Sequence, residues 1–229
     1  MALKLSLSNA LREYDIPLAL KETDILYNLD RGFRPNYVSV LNNISLIDEG
    51  KIVIDAKLED APDWGYAFLV ERLKRMDATN YAPLKSSIDA YLLNIDKPVL
   101  KKKIISNYSK RLVKLGQSKT ALAFWKEHVD FTANYTEQKF AVFNPAFQEL
   151  DAPEPFNWNL LNNSDVTTEY NKPESLFARF KGSRTRVIAQ QYIAWKPTPS
   201  VKLVLDFVHK YDKNNGKFHI DIALSLIHI

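Results

Sequence analysis

The periodicity of the hydrophobic residues changes near residue 143, and this change limits the folds that the chain can adopt. Residues 1–133 repeat apolar side chains every three or four positions, which is the spacing of one helix face. Residues 144–223 alternate apolar and polar side chains, which is typical of strands with one buried face. The sequence therefore predicts an α+β protein with a helical domain, a linker over residues 134–143, and a β domain.

The helical domain is predicted to contain about seven or eight helices joined by short connections. Apolar stripes mark four of them most clearly, and Gly116 lies between two stripes, as expected of a glycine that ends a helix. Short connections favour helical hairpins stacked in a solenoid over a closed bundle. Prolines lie near five predicted helix starts, where a missing backbone N–H has the smallest effect: Pro17, Pro35, Pro62, Pro83 and Pro98.

One segment of the helical domain carries a more specific pattern. Residues 115–125, LGQSKTALAFW, resemble the turn and second helix of a tetratricopeptide repeat. In such a repeat a small residue, here Ala121, lets two helices approach closely, and an aromatic residue fills the next groove. Residues 14–20, YDIPLAL, followed by Leu26, form a weaker copy. The resemblance implies helical repeats that bind a protein partner.

The two copies are in register with a repeat of 34 residues. Ala19 and Ala121 are 102 residues apart, which equals three such repeats. The corresponding positions between them hold Val53 and Ser87, so the middle repeats are expected to be degenerate. An irregular helical domain, with small residues at these positions by chance, is the alternative interpretation.

After the change in periodicity, strand candidates follow one another about every 10 to 15 residues, with no helix pattern between them. The segment Asp212–Gly216, DKNNG, predicts a hairpin loop. Closely spaced strands without intervening helices favour an antiparallel β-sandwich. The clearest strand candidates cover residues 176–180, 187–195, 201–209 and 217–222.

Short motifs in residues 144–223 form a recognisable order: Asn144-Pro145-x-Phe147, then Pro155-Phe156-Asn157-Trp158, then the strands at 176–180 and 190–195. On these motifs, residues 144–223 resemble the jelly-roll module of galactose-binding-like and carbohydrate-binding proteins. The resemblance implies an antiparallel jelly roll that binds a glycan. Helices of the tetratricopeptide type followed by this module also resemble bacterial envelope proteins, which implies a periplasmic or envelope-associated location, with a cytoplasmic location as the alternative.

The last six residues, LSLIHI at 224–229, read letter for letter as the translation of a common sequencing adapter. We therefore expect the native sequence to end near Ala223, as in a metagenomic reading frame that ran off its insert. A jelly roll has about eight strands, of which this chain would supply about six, so the β-sandwich is expected to be incomplete. A native apolar strand at 224–229 is the alternative.

Composition excludes several classes of function. The chain has no Cys, which excludes disulfides, thiolate zinc sites and Cys nucleophiles within it. The net charge of +4 is spread evenly, so we predict no nucleic-acid partner. No apolar run approaches the roughly 18 residues of a membrane span. No metalloprotease, nucleophile-elbow, phosphate-loop or dinucleotide motif occurs, so the sequence predicts no enzyme and no cofactor.

Four residues are the candidates for contacts with a glycan or an anionic partner. Trp158 and Trp195 are predicted in the β domain, where an exposed indole can stack on a sugar ring. Core packing is the alternative for both. Arg184 and Arg186 follow Gly182 in a predicted loop and are candidate contacts for an anionic partner.

Two further groups of residues have competing interpretations. Residues 97–119 contain eight Lys and Arg and no acid, which fits either a surface for an acidic polysaccharide or phospholipid, or a solvated helix face. His209 and His219 flank the predicted hairpin, where they could bind a metal with Asp212 or Asp221. The polar outer face of a strand pair is the favoured interpretation, so no metal site is predicted.

Together these features predict a non-catalytic binding or scaffold protein. The helical repeats would bind a protein partner, and the sandwich would bind a glycan or another component of the cell envelope. A structural adaptor without sugar binding is one alternative. A fragment of an enzyme whose catalytic part lies outside this chain is the other.

Overall fold

The computed structural model describes residues 2–129, 152–160, 164, 166–171, 175–180 and 189–192. The predicted linker at 134–143, the Asn144–Phe147 motif, the strand candidates at 201–209 and 217–222, the hairpin loop between them and the tail at 224–229 lie outside the described residues.

The described part of residues 1–133 is helical, as the periodicity predicts. A short 3₁₀ helix, Arg31–Phe33, lies between the second and third α-helices. The described residues contain eight α-helices: α1 Ala2–Arg12, α2 Ile16–Leu29, α3 Arg34–Ile44, α4 Asp48–Leu58, α5 Gly65–Lys74, α6 Tyr81–Asn94, α7 Pro98–Lys114 and α8 Ser118–His128.

The helix boundaries follow local chemistry. Pro17, Pro35 and Pro98 lie in the first turns of α2, α3 and α7, where no intrahelical N–H donor is needed. The side chain of Asp15 caps α2 by accepting a hydrogen bond from the Leu18 N–H at 3.0 Å. Gly116 follows α7 with φ 78°, a left-handed conformation that glycine adopts without a steric penalty. The prediction that Gly116 ends a helix is confirmed.

The helices are arranged in two rows. Helices that follow one another in the sequence contact each other from α1 to α4 and again from α5 to α8, and helices two apart also make contact, α3 with α5 and α5 with α7 in one row, α2 with α4 and α4 with α6 in the other. The even-numbered helices begin at residues 16, 48, 81 and 118, which are 32, 33 and 37 residues apart. The starts of the even-numbered helices are therefore nearly evenly spaced.

The predicted apolar stripes form the core of this array. Leu69, Ile88, Ile104 and Leu112 are completely buried. The two small residues of the 34-residue pattern, Ala19 and Ala121, are also fully buried. Ser87 is buried and Val53 is partly buried, so the positions of the degenerate middle repeats also lie in or against the core.

The β region begins with short antiparallel pairs. Strand β1 (Asn159–Leu160) pairs with β4 (Ala189–Gln190). Strand β2 (Val166–Asn171) pairs with β3 (Ser175–Phe180) in a register that places Val166 opposite Phe180 and Asn171 opposite Ser175. The predicted strand at 176–180 is confirmed as β3, and the antiparallel arrangement agrees with the prediction for these residues.

The predicted strand at 187–195 is wrong in one respect. Of its described residues, Ala189 and Gln190 are in a strand, but Gln191 and Tyr192 are not. The side-chain amide of Gln191 instead donates to the Phe156 carbonyl at 2.6 Å, and the backbone N–H of Tyr192 donates to the Pro155 carbonyl at 2.9 Å. These bonds attach the end of β4 to an irregular segment, which alternation in the sequence does not reveal.

Gly50 provides a test of the packing between α3 and α4. A Cβ atom at Gly50 would lie 2.1 Å from the Ile44 carbonyl oxygen, whereas a Cβ at Gly32 would meet no atom closer than 3.9 Å. Helix propensity alone predicts that Gly50→Ala stabilises α4 by about 1 kcal/mol. We expect the opposite, a loss of about 1–3 kcal/mol, because the backbone must shift to accept the methyl group.

The measurement is the urea unfolding midpoint of Gly50→Ala beside that of Gly32→Ala, which is the matched control. Gly32→Ala should change the free energy of unfolding by less than about 0.5 kcal/mol. Equal midpoints for the two variants would contradict the described approach of the α3–α4 turn to α4.

Candidate functional site

An irregular segment, residues 152–157, packs against the last two helices. The Trp125 indole N–H donates to the Pro153 carbonyl at 2.6 Å, and this hydrogen bond is buried. The Trp125 ring also meets the Phe156 ring edge-to-face, with 5.7 Å between the ring centroids. Asn157 closes the segment on itself by donating from its amide to the Ala152 carbonyl at 2.9 Å. Residues 152–157, which include part of one motif behind the predicted jelly-roll resemblance, thus pack on α8.

An ion pair attaches the same segment to α7. The Lys110 ammonium contacts the Glu154 carboxylate, and both side chains are partly exposed. The hydrogen bonds from Trp125 on one side and from Gln191 and Tyr192 on the other hold residues 152–157 in place. The position of the following residue, Trp158, therefore depends on contacts with α8 and with the residues that follow β4.

Helix α7 is amphipathic, and its buried face determines where its lysines project. Ile104, Ile105 and Leu112 are buried, and the Tyr108 hydroxyl donates to the Tyr81 carbonyl at 2.8 Å. Burial raises the pKa of the Tyr108 hydroxyl well above its ordinary value. Because this face is fixed in the core, the polar face of α7 points outward.

A cleft of about 530 Å³ lies between the polar face of α7 and the segment that follows the buried anchor. We call it the α7 cleft. Helix α7 contributes Lys102, Lys103, Ser106, Asn107 and Lys110, and the facing wall is formed by Ala152, Pro153, Glu154, Trp158, Asn159 and Leu160.

The α7 cleft combines positive charge, amide groups and an aromatic ring. Its lining contains three lysines and one glutamate, a net charge of +2. Lys102 and Lys110 are eight residues apart, so they share one helix face. Trp158 is partly exposed and offers indole surface beside these charges. Such a lining can bind a polar ring compound that carries negative charge.

The structure locates one of the four predicted contact residues. Trp158 lines the α7 cleft and is partly buried. Trp195, Arg184 and Arg186 lie outside the described residues, as do His209 and His219.

The only His in the described residues, His128, lies on α8. Its Nε2 is 3.0 Å from Asp89 Oδ1, and its ring packs against Phe124 with 4.5 Å between centroids. Among the residues that the structure describes, no three His, Cys, Asp or Glu side chains are grouped as metal ligands. His128 therefore links α8 to α6.

Residues of the basic run at 97–119 contact other parts of the protein, line the α7 cleft or, as Lys110 does, do both. Lys97 pairs with Asp63 at 2.9 Å. Arg111 donates two hydrogen bonds to the Met76 carbonyl, at 3.0 and 2.6 Å, and so attaches α7 to the turn before α6. Lys102, Lys103 and Lys110 line the α7 cleft. The run is visible in the sequence, but these roles depend on which face of α7 is buried.

Comparisons with protein-family models, with curated proteins and with solved structures each found no match to this chain. Within the described part of the chain, no helix has the length and apolar character needed to cross a membrane.

The buried hydrogen bond from Trp125 to the Pro153 carbonyl is expected to stabilise the segment that faces α7. Trp125→Phe keeps an aromatic ring but leaves a buried carbonyl without its donor, which should cost about 1–3 kcal/mol of unfolding free energy. Trp64→Phe is the matched control, because Trp64 is equally buried and its indole N–H donates to Asp24 at 3.0 Å.

Asp24 is only partly buried, so water can replace the lost donor there. We expect Trp125→Phe to be the more destabilising of the two substitutions in urea unfolding followed by circular dichroism. A larger loss for Trp64→Phe would show that the Pro153 carbonyl is hydrated, and that the segment is not closed against α8.

Proposed function

We propose that this chain is a non-catalytic binding protein of a bacterial cell envelope, with two functional parts. The helical array acts as a solenoid of tetratricopeptide type that binds a protein partner. The β region acts as a jelly-roll-like module that binds a glycan or another envelope component. The observation that carries the proposal is that Trp158 and the lysines of α7 line one cleft.

Three observations support the solenoid. The even-numbered helices begin 32 to 37 residues apart, near the period of 34 that the two Ala positions predict. Contacts run between helices adjacent or two apart in sequence, which is the pattern of stacked hairpins. Ala19 and Ala121 are fully buried, as the small residues at close helix approaches are expected to be.

The lining of the α7 cleft supports glycan binding. Sugar rings have apolar faces that pack on indole rings, and their hydroxyls both donate and accept hydrogen bonds. Trp158 offers such an indole, and Asn107, Asn159 and Ser106 offer groups that donate and accept. The antiparallel β1–β4 and β2–β3 pairs are compatible with a jelly-roll-like module.

A structural adaptor without sugar binding is the second candidate. It is favoured by three apolar side chains at the start of α4, which are exposed in the described structure: Leu46 at 74%, Ile47 at 42% and Ile52 at 70%. Exposed apolar groups that lie close together mark surfaces that other proteins cover. In the adaptor the β region would pack on the helices, and the α7 cleft would have no ligand.

Affinity electrophoresis separates the two functions. The 229-residue chain is run through native gels that contain soluble polysaccharides, neutral ones such as dextran and xyloglucan and acidic ones such as alginate. We expect retardation by at least one of them. Trp158→Ala should weaken that retardation about fivefold, because ring stacking is lost.

Tyr14→Ala is the matched control, since Tyr14 is an exposed aromatic residue at 76% and does not line the α7 cleft. It should leave the retardation unchanged. No retardation by any polysaccharide would reject glycan binding and favour the adaptor. Equal losses in the two variants would reject the α7 cleft as the site.

A further inference from the structure

The geometry points to a carboxylate-bearing polysaccharide as the ligand of the α7 cleft. One sugar ring packs on Trp158, and carboxylates of the same polymer bind the lysines of α7. This inference rests on the proposed function, because it specifies the class of glycan that the cleft binds. We expect the α7 cleft not to bind neutral glycans.

The arrangement of the charges favours a polymer. Lys103 and Lys110 are separated by seven residues on one helix, which corresponds to about 10 Å along the helix axis. This distance is longer than one sugar ring. Two or more acidic units of one chain can therefore meet separate ammonium groups, and their contributions add. A single acidic sugar would reach only one of them.

Glu154 shows which kind of group the cleft accepts. Its carboxylate lies on Lys110, so the protein itself places a carboxylate at one end of the lysine row. Both partners of this ion pair are partly exposed, with side-chain exposures of 39% and 29%. An ion pair of this exposure contributes little to stability, so an external carboxylate can replace Glu154. Glu154 thus competes with the ligand for Lys110.

The groups on the two sides of the site favour a polysaccharide over an anionic membrane. The lysines line one side, and Trp158 and Glu154 line the other. An indole packs on the apolar face of a sugar ring, and the headgroup of phosphatidylglycerol has no such ring.

The test uses matched probes with the whole chain. Polygalacturonate and its fully methyl-esterified form share one backbone and differ in charge. We expect retardation by polygalacturonate or by alginate, none by the methyl ester, and a loss of retardation when ionic strength rises from about 0.05 to about 0.5 M. Dextran sulfate and phosphatidylglycerol vesicles are the probes for sulfate groups and for lipid.

Variants that remove a charge from α7 or from Glu154 test whether the acidic polysaccharide binds in the α7 cleft. Lys102→Gln with Lys103→Gln should weaken binding of the acidic polysaccharide about fivefold. The control pair is Lys101→Gln with Lys114→Gln, which removes the same charge from the same helix outside the cleft lining, and it should change binding less than about twofold. Glu154→Gln should strengthen binding about two- to threefold, because Lys110 loses its internal competitor.

Each remaining outcome overturns the inference in a distinguishable way. Binding of neutral glycans that Trp158→Ala abolishes and the lysine variants do not affect would reject the acidic ligand but leave glycan binding intact. Absence of binding to any polysaccharide would reject both proposals. Equal losses in the two lysine pairs, or weaker binding in Glu154→Gln, would reject the α7 cleft as the anionic site. Binding to dextran sulfate alone or to vesicles alone would assign the cleft to sulfate groups or to lipid.

Discussion

The buried hydrogen bond from the Trp125 indole to the Pro153 carbonyl is the interaction on which the rest of the site depends. It joins two parts of the chain with different periodicities, and no water is available to replace either partner where both are buried. Phe156 packs on the same indole ring, so one side chain of α8 fixes both the position and the direction of the segment. The position of this segment determines where Trp158 and Glu154 lie, and these two residues form part of one wall of the α7 cleft.

The opposite wall has a different origin. Helix α7 places Ile104, Ile105 and Leu112 in the core, and the apolar stripe that does so is plain in the sequence. The direction of the lysines is a consequence of this burial, because side chains on one face of a helix are fixed once the other face is packed. The same helix therefore stabilises the array and orients charges outward.

Local patterns in the sequence predict the helices, the glycine that ends α7 and strand β3, because each depends on residues that are close in the chain. Strand β2, with the sequence VTTEYN, lacks a clear alternation of apolar residues. It is a strand because it pairs with β3, and this pairing cannot be seen in its own sequence. The ion pair between Lys110 and Glu154 joins residues that are 44 positions apart in the sequence. No local pattern encodes that contact, so the basic run and Trp158 could each be identified but their association could not.

The helical array has two ends, and the structure shows how one of them is closed. In a stack of hairpins each unit covers the apolar side of the one before it, so the last unit needs a cover from elsewhere. At α8 that cover is irregular chain, with Pro153 and Phe156 lying on Trp125. Residues 152–157 thus cover the indole of Trp125 at the α8 end of the described helices. We expect a chain cut before residue 152 to lose this cover, so that the stability of α8 depends on a segment outside the helices.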